Sequence, residues 1–210
     1  MIRILIADDH AIVRRGLRTI LAEASEITHI GEAQNAEEIM SLLRSQSWQL
    51  VMLDLALPDK NGLEVLKDIK RDYPKLPVLI LSMHPEDLYA LRVLKAGAAG
   101  YLTKESAPDE LLTAIRKVLN GGRYISLHLA EQLVFDLGGD SEKPLHEALS
   151  DREYQVLCLL GSGKTISEVA DQLAISVKTA STYRTRILEK MNMRTNAELM
   201  HYAIQQKLVQ

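Results

Sequence analysis

Residues 49–62 read QLVMLDLALPDKNG, and the position of Asp54 in that run decides the architecture. Leu50, Val51, Met52 and Leu53 are apolar without alternation, the pattern of a strand buried on both faces. Asp54 ends the run, and Pro58 to Gly62 follow as a turn. A carboxylate at the end of a buried strand is costly unless it is paired. Either Asp54 reaches solvent as a turn residue, or it belongs to a site that needs negative charge.

Four more strands of the same kind surround this one. IRILIA (2–7) and THIGEA (28–33) precede it, and VLILS (78–82) and GYL (100–102) follow. Between them the apolar spacing turns helical over 11–23, 36–45, a segment carrying Leu63, Val65, Leu66 and Ile69, 86–96 and 108–120. Five strand–helix pairs predict an α/β fold: a parallel sheet covered by helices on both faces, with right-handed crossovers. Such a sheet carries its site at the carboxyl ends of the strands.

That edge collects a chemical set. The first strand ends in Asp8-Asp9, the third in Asp54 and the fourth in Ser82, and the fifth runs through Tyr101 into Lys104. Any one Asp could be a strand-ending turn former. All of these features at one edge predict a site. Three carboxylates together raise one another's pKa, and Mg²⁺, which prefers oxygen ligands, removes that conflict. A carboxylate nucleophile, a metal, the Lys104 cation and the Ser82 hydroxyl are the ingredients of phosphoryl transfer. His84 stands near the site and reads as a solvated loop histidine, while His10, His29, His128, His146 and His201 form no metal-ligand spacing.

Composition narrows the class. The chain has 210 residues, 47% hydrophobic and 25% charged, with one cysteine. One or two packed domains are expected, without a disulfide framework or a cysteine zinc cluster. Cys158, within VLCLL, reads as a core residue. No apolar run approaches the roughly 18 residues of a membrane helix, and MIRILIADDH is unlike a secretory signal. A cytoplasmic protein with no membrane partner is expected. Residues 149–210 carry a net charge of +2 against −5 for the remainder, which hints at a polyanion partner for the tail.

After Gly121-Gly122 the alternation stops. A short helix is expected around 127–137, and GGDSEKP (138–144) has linker composition. The tail then reads as four helices, 151–160, 166–173, 177–191 and 196–206. Ser150–Glu153, Thr165–Glu168 and Thr195–Glu198 each have capping-box spacing, and Ser176 is a fourth N-cap. In VKTASTYRTRILEKM (177–191), Ala180, Ile187 and Met191 mark a buried stripe, with Tyr183 and Leu188 beside it. Ser181, Thr182, Thr185 and Arg186 therefore face away. A helix of small hydroxyls and guanidiniums, preceded by a short helix and the turn Leu173-Ala174-Ile175-Ser176, has the form of a helix-turn-helix reader.

ADDH, DLALPDKNG, LSMH and GAAGYLTK, with SDREYQVLCLLGSGKTISEVADQLAISVKTASTYRTRILEKM, resemble a two-component response regulator of the NarL/FixJ class. The resemblance covers nearly the whole chain. It implies a flavodoxin-like receiver of strand order 2-1-3-4-5 over 1–122, a linker with a short helix over 123–146, and a LuxR-type helix-turn-helix domain over 147–210. Asp54 would be the phosphoacceptor. Asp9 would bind Mg²⁺ directly with Asp8 assisting, and the Ala56 main-chain carbonyl would be a further ligand. Lys104 and Ser82 would meet the phosphoryl group, and Tyr101 would be the switch aromatic. Ser181, Thr182 and Thr185 would lie nearest the bases, with Lys178, Thr179, Tyr183, Arg184 and Arg186 mainly on phosphate. The implied partners are a sensor histidine kinase, double-stranded promoter DNA and a second copy of the chain, joined when phosphorylated. Residues 196–206 carry the tail's pairing surface in such relatives.

This sequence departs from many members. Met83 stands where a smaller residue is common, and Ser181 and Tyr183 where a basic residue and a histidine are common. Three other classes fit the sequence less well. A haloacid dehalogenase-type phosphatase needs a second Asp two residues after the nucleophile, where this chain has Ala56. A phosphorylation-independent regulator is disfavoured by the complete set Asp8, Asp9, Asp54, Ser82 and Lys104. An RNA-binding output is disfavoured by the helix-turn-helix pattern.

Overall fold

The computed structural model describes residues 2–83, 86–126, 129–130, 144–206 and 208–209, and within these the side chains of 86–88 are left aside. His84, His128 and most of the helix expected around 127–137 lie outside the described residues. The chain divides into two compact units, Met1–Leu137 and Gly138–Gln210.

In the first unit β1 (Ile2–Ala7), β2 (Ile27–Ala33), β3 (Leu50–Asp54), β4 (Val78–Ser82) and β5 (Gly100–Thr103) form one sheet in the order β2-β1-β3-β4-β5. Every pairing is parallel, as continuous apolar runs require. The connecting helices are α1 (Ala11–Leu21), α2 (Ala36–Ser45), α3 (Gly62–Asp72), α4 (Glu86–Lys95) and α5 (Ala107–Leu119). Side chains alternate across the sheet. Ile4, Ile6, Leu50, Met52, Leu79, Leu81 and Leu102 pack with Leu17 and Leu21 of α1 and with Leu111, Ala114, Ile115 and Val118 of α5. The intervening Leu5, Val51, Leu53 and Ile80 are equally buried on the opposite face.

Register sets up the edge. Ala7 pairs with Leu53, Asp54 with Leu81, and Ser82 with Thr103. The next residue past each strand, or its last, therefore falls at the same level: Asp8, Asp54, Ser82 and Lys104. After α5 the chain returns to the sheet. The Tyr124 N–H donates to the Ala99 carbonyl at 2.9 Å, and the Tyr101 N–H donates to the Tyr124 carbonyl at 3.1 Å. Gly100 allows this approach, because a Cβ there would lie 2.6 Å from the Tyr124 oxygen. The exit segment thereby covers backbone groups of the edge strand β5.

In the second unit a short 3-10 turn (Leu145–Ala148) precedes α6 (Asp151–Gly161), α7 (Ile166–Gln172), α8 (Val177–Lys190) and α9 (Asn196–Gln205). Helix α6 is the core element, buried from Glu153 through Gly161, and Cys158 is buried within it. It packs against α9, with Gly161 so close to Ala203 that an added Cβ would lie 2.6 Å from the Ala203 Cβ. The capping boxes at Ser150 and Thr165 are complete, and Ser176 caps α8. At Thr195 only half of the expected box forms. Thr195 accepts from the Glu198 N–H, but the Glu198 carboxylate accepts from the Arg194 N–H at 2.7 Å. The carboxylate still satisfies an orphan donor of the helix entry, one residue earlier than the motif predicts.

Candidate functional site

The edge predicted from the strand ends is assembled in the first unit. Asp54 is 2% exposed, Asp8 and Ser82 are 1% exposed. Lys104 Nζ lies 2.7 Å from Asp8 Oδ2 and 2.7 Å from Asp54 Oδ2. The Lys104 N–H donates to the Ser82 carbonyl at 2.8 Å, which holds the two residues side by side. The Ala56 N–H donates to Asp54 Oδ1 at 3.2 Å, closing the turn after β3. Gly62 supports that turn from below, since a Cβ there would meet the Asp54 carbonyl oxygen at 2.4 Å. Tyr101 is buried in β5 and Met83 is exposed.

One ammonium thus serves two buried carboxylates, with Asp9 adjacent. Burial pushes the Asp54 carboxyl up, Lys104 opposes this as charge and as donor, and Asp8 adds to the rise; the net direction is upward. Burial alone would pull Lys104 down, but Asp54 and Asp8 together carry it above its ordinary value. The Asp54 shift reports burial, and the Lys104 shift reports the two carboxylates around it. One oxygen from each of Asp8, Asp9 and Asp54 and a ring nitrogen of His10 lie within 4.8 Å of one another. Carboxylate oxygens held on a rigid strand edge, with uncompensated charge, suit a hard divalent cation.

His10 corrects the reading from spacing alone. Its ring Nδ1 is 2.6 Å from Asp9 Oδ1, and its N–H donates to Asp8 Oδ1 at 2.8 Å. Histidine spacing gives no sign of this, because a single histidine joins three aspartates. Two other residues escaped the sequence reading. Buried Arg14 donates through Nη1 to the Asp8 carbonyl and through Nε to Glu32. Asp59, in the turn after β3, accepts from the Ala36 N–H at 2.9 Å and so caps α2 from a distance. Neither has a local motif, because Asp59 caps a helix earlier in the chain and Arg14 ties the end of β1 to Glu32 on β2.

In the second unit α7 and α8 flank a turn in which Ala174 adopts a positive φ of 50°. Ala180, Ile187 and Met191 are buried, as the stripe predicts. Lys178, Thr179, Ser181, Thr182, Thr185 and Arg186 are exposed on the other side, while Tyr183 and Arg184 are half-buried. Arg184 Nε donates to the Asn196 side-chain oxygen, so part of its guanidinium is engaged within the unit. The Thr182 hydroxyl donates to the Lys178 carbonyl at 2.9 Å, and that of Thr185 to the Ser181 carbonyl at 3.1 Å. Both hydroxyl hydrogens are therefore engaged within the helix. No helix among the described residues is long and apolar enough to cross a membrane.

Known proteins resemble both units. Residues 4–116 match the response regulator receiver domain, and residues 147–203 match the luxR family of bacterial regulatory proteins. The response regulator UvrY of Escherichia coli K12 is 35% identical over 209 residues, covering 99% of this chain and 96% of UvrY. The response regulator GacA of Pseudomonas protegens is 37% identical over 209 residues, covering 100% and 98%. Among solved structures, RcsB from Salmonella enterica serovar Typhimurium, bound to promoter rprA in the presence of the phosphomimetic BeF3⁻, aligns with a TM-score of 0.64 and 27% identity. That alignment covers 96% of this chain and 98% of RcsB.

Proposed function

The chain belongs to the response regulators that join a receiver domain to a LuxR-type DNA-binding domain, and from that membership we propose that phosphorylation of Asp54 controls its binding to promoter DNA as a dimer. It is a DNA-binding transcription regulator rather than a catalytic enzyme. The observation that carries the Asp54 assignment is the buried carboxylate pair, Asp8 and Asp54, sharing Lys104 at 2.7 Å beside Asp9. We assign residues 1–122 to the receiver, 123–146 to the linker and 147–210 to the output domain, and place the protein in the cytoplasm.

A sensor histidine kinase, or a small acyl phosphate, is the donor. An Asp54 carboxylate oxygen attacks phosphorus, and the bond to the donor's imidazole nitrogen or acyl oxygen breaks. Asp9, Asp54 and the Ala56 carbonyl, with Asp8 in support, would hold Mg²⁺. When bound, that ion neutralises the carboxylates and polarises the phosphoryl oxygens. Lys104 exchanges its carboxylate partners for a phosphoryl oxygen, and the Ser82 hydroxyl donates to another. The modification adds up to about two negative charges and three strong acceptors, and Tyr101 moves with Ser82 as these are satisfied. Two output modules then act together, each adding to the other's effective concentration on paired half-sites. On each, Ser181, Thr182 and Thr185 face bases, while Lys178, Thr179, Tyr183, Arg184 and Arg186 hold phosphate.

Titrating promoter DNA with the full chain, with and without acetyl phosphate and Mg²⁺, tests this reading. Phosphodonor should tighten binding by wild type and leave Asp54→Asn unchanged. An equal response from the two proteins would refute control through Asp54.

A further inference from the structure

Arg14 lies in the first turn of α1 and is 7% exposed. A buried guanidinium must be paired, and its two partners are informative. Nη1 donates to the main-chain carbonyl of Asp8 at 2.8 Å, and Nε donates to Glu32 Oε2 on β2 at 3.0 Å. Other contacts hold Asp8 as well. Its N–H donates to the Ala33 carbonyl at 3.1 Å, Oδ1 accepts from the His10 N–H at 2.8 Å, and Oδ2 is 2.7 Å from Lys104.

The Asp8 carbonyl shares a rigid plane with the Asp9 nitrogen and Cα. Holding that oxygen fixes the plane's rotation, and with it the direction in which Asp9 leaves the strand. We propose that Arg14 is a positioning residue for the divalent-cation site, aiming Asp9 by gripping the peptide between the two acidic residues. This rests on the reading that Asp8, Asp9 and Asp54 hold a cation. Glu32 sharpens the assignment, because it anchors the guanidinium to the sheet and offsets its charge. Charge alone would have the opposite effect: removing a cation near the pocket strengthens divalent binding. The sign of the change therefore separates positioning from simple electrostatics.

The test is calorimetric titration of the full chain with MgCl₂, beside acetyl phosphate labelling over a range of Mg²⁺. Partners that orient ligands typically contribute 10–100-fold in metal affinity. Arg14→Gln should weaken Mg²⁺ binding by that order, and the Mg²⁺ concentration that gives half-maximal labelling should rise with it. Arg14→Lys keeps the charge and one donor but cannot hold both partners, so its affinity should fall between the two. It also serves if Arg14→Gln does not fold. Affinity equal to or tighter than wild type in either folded variant overturns the role. Asp9→Asn tests the underlying site separately. If wild type binds no Mg²⁺, or Asp9→Asn binds it equally well, the cation site itself falls and the positioning role with it.

Discussion

Asp54 sits in a strand whose five residues are all buried, and its charge is tolerated because Lys104 reaches it across the sheet edge. That arrangement was legible in part. The strand ends pointed to Asp8, Asp9, Asp54, Ser82 and Lys104, because a parallel sheet of strand–helix pairs brings carboxyl ends together whatever the loops do. Arg14, Asp59 and the contact of His10 with Asp9 were not legible, since each depends on how a loop turns rather than on where a strand stops. The second unit contains a residue under backbone strain. Ala174 holds a φ of 50°, a region where a Cβ costs about 1–2 kcal/mol. Ala174→Gly is therefore expected to stabilise this unit by about 1 kcal/mol, seen as a higher urea midpoint in α7 and α8. An unchanged midpoint would mean that neighbouring contacts offset the relief.

At the scale of elements, helix starts were the most readable feature and helix roles came next. Ser150, Thr165, Ser176 and Thr195 all cap the helices their spacing announced. The departure at Glu198 arose because the carboxylate found the Arg194 N–H first. Glu153 shows how a cap becomes part of the core. Its buried carboxylate accepts from the Ser150 N–H and from Lys190 of α8, each at 2.7 Å. Burial pushes its pKa up, but Lys190 and Ser150 outweigh that and hold it below the ordinary glutamate value. A depressed folded pKa gives stability that is complete above the unfolded value, about 4.3, and is lost as pH falls through the folded value. Glu153→Gln should cost about 2 kcal/mol at pH 7. Urea unfolding should show its deficit against wild type shrinking as pH falls through the folded value, whereas a deficit constant with pH would assign the loss to packing instead.

At the scale of the whole molecule, the chain pairs an acidic receiver with a more basic output unit, and the two matched families cover the two units separately. The fold of both was readable because each rests on periodicity, 2-residue in neither and continuous or helical in all. Lys178 and Arg186 are exposed on α8, and the proposed phosphate contacts give them a measurable signature. Replacing either with Ala should weaken binding to all sequences and reduce the slope of log affinity against log salt by about 1 for each bound module. Thr182→Ala should instead change sequence preference and leave the slope in place. The most direct measurement of the central claim is mass spectrometry of the intact chain and its peptides after acetyl phosphate and Mg²⁺. One phosphoryl group on Asp54 in wild type, lost on chelation of Mg²⁺ during labelling and in Asp54→Asn, is the predicted result. Equal labelling of Asp54→Asn, or a phosphoryl group mapped to another residue, would contradict it.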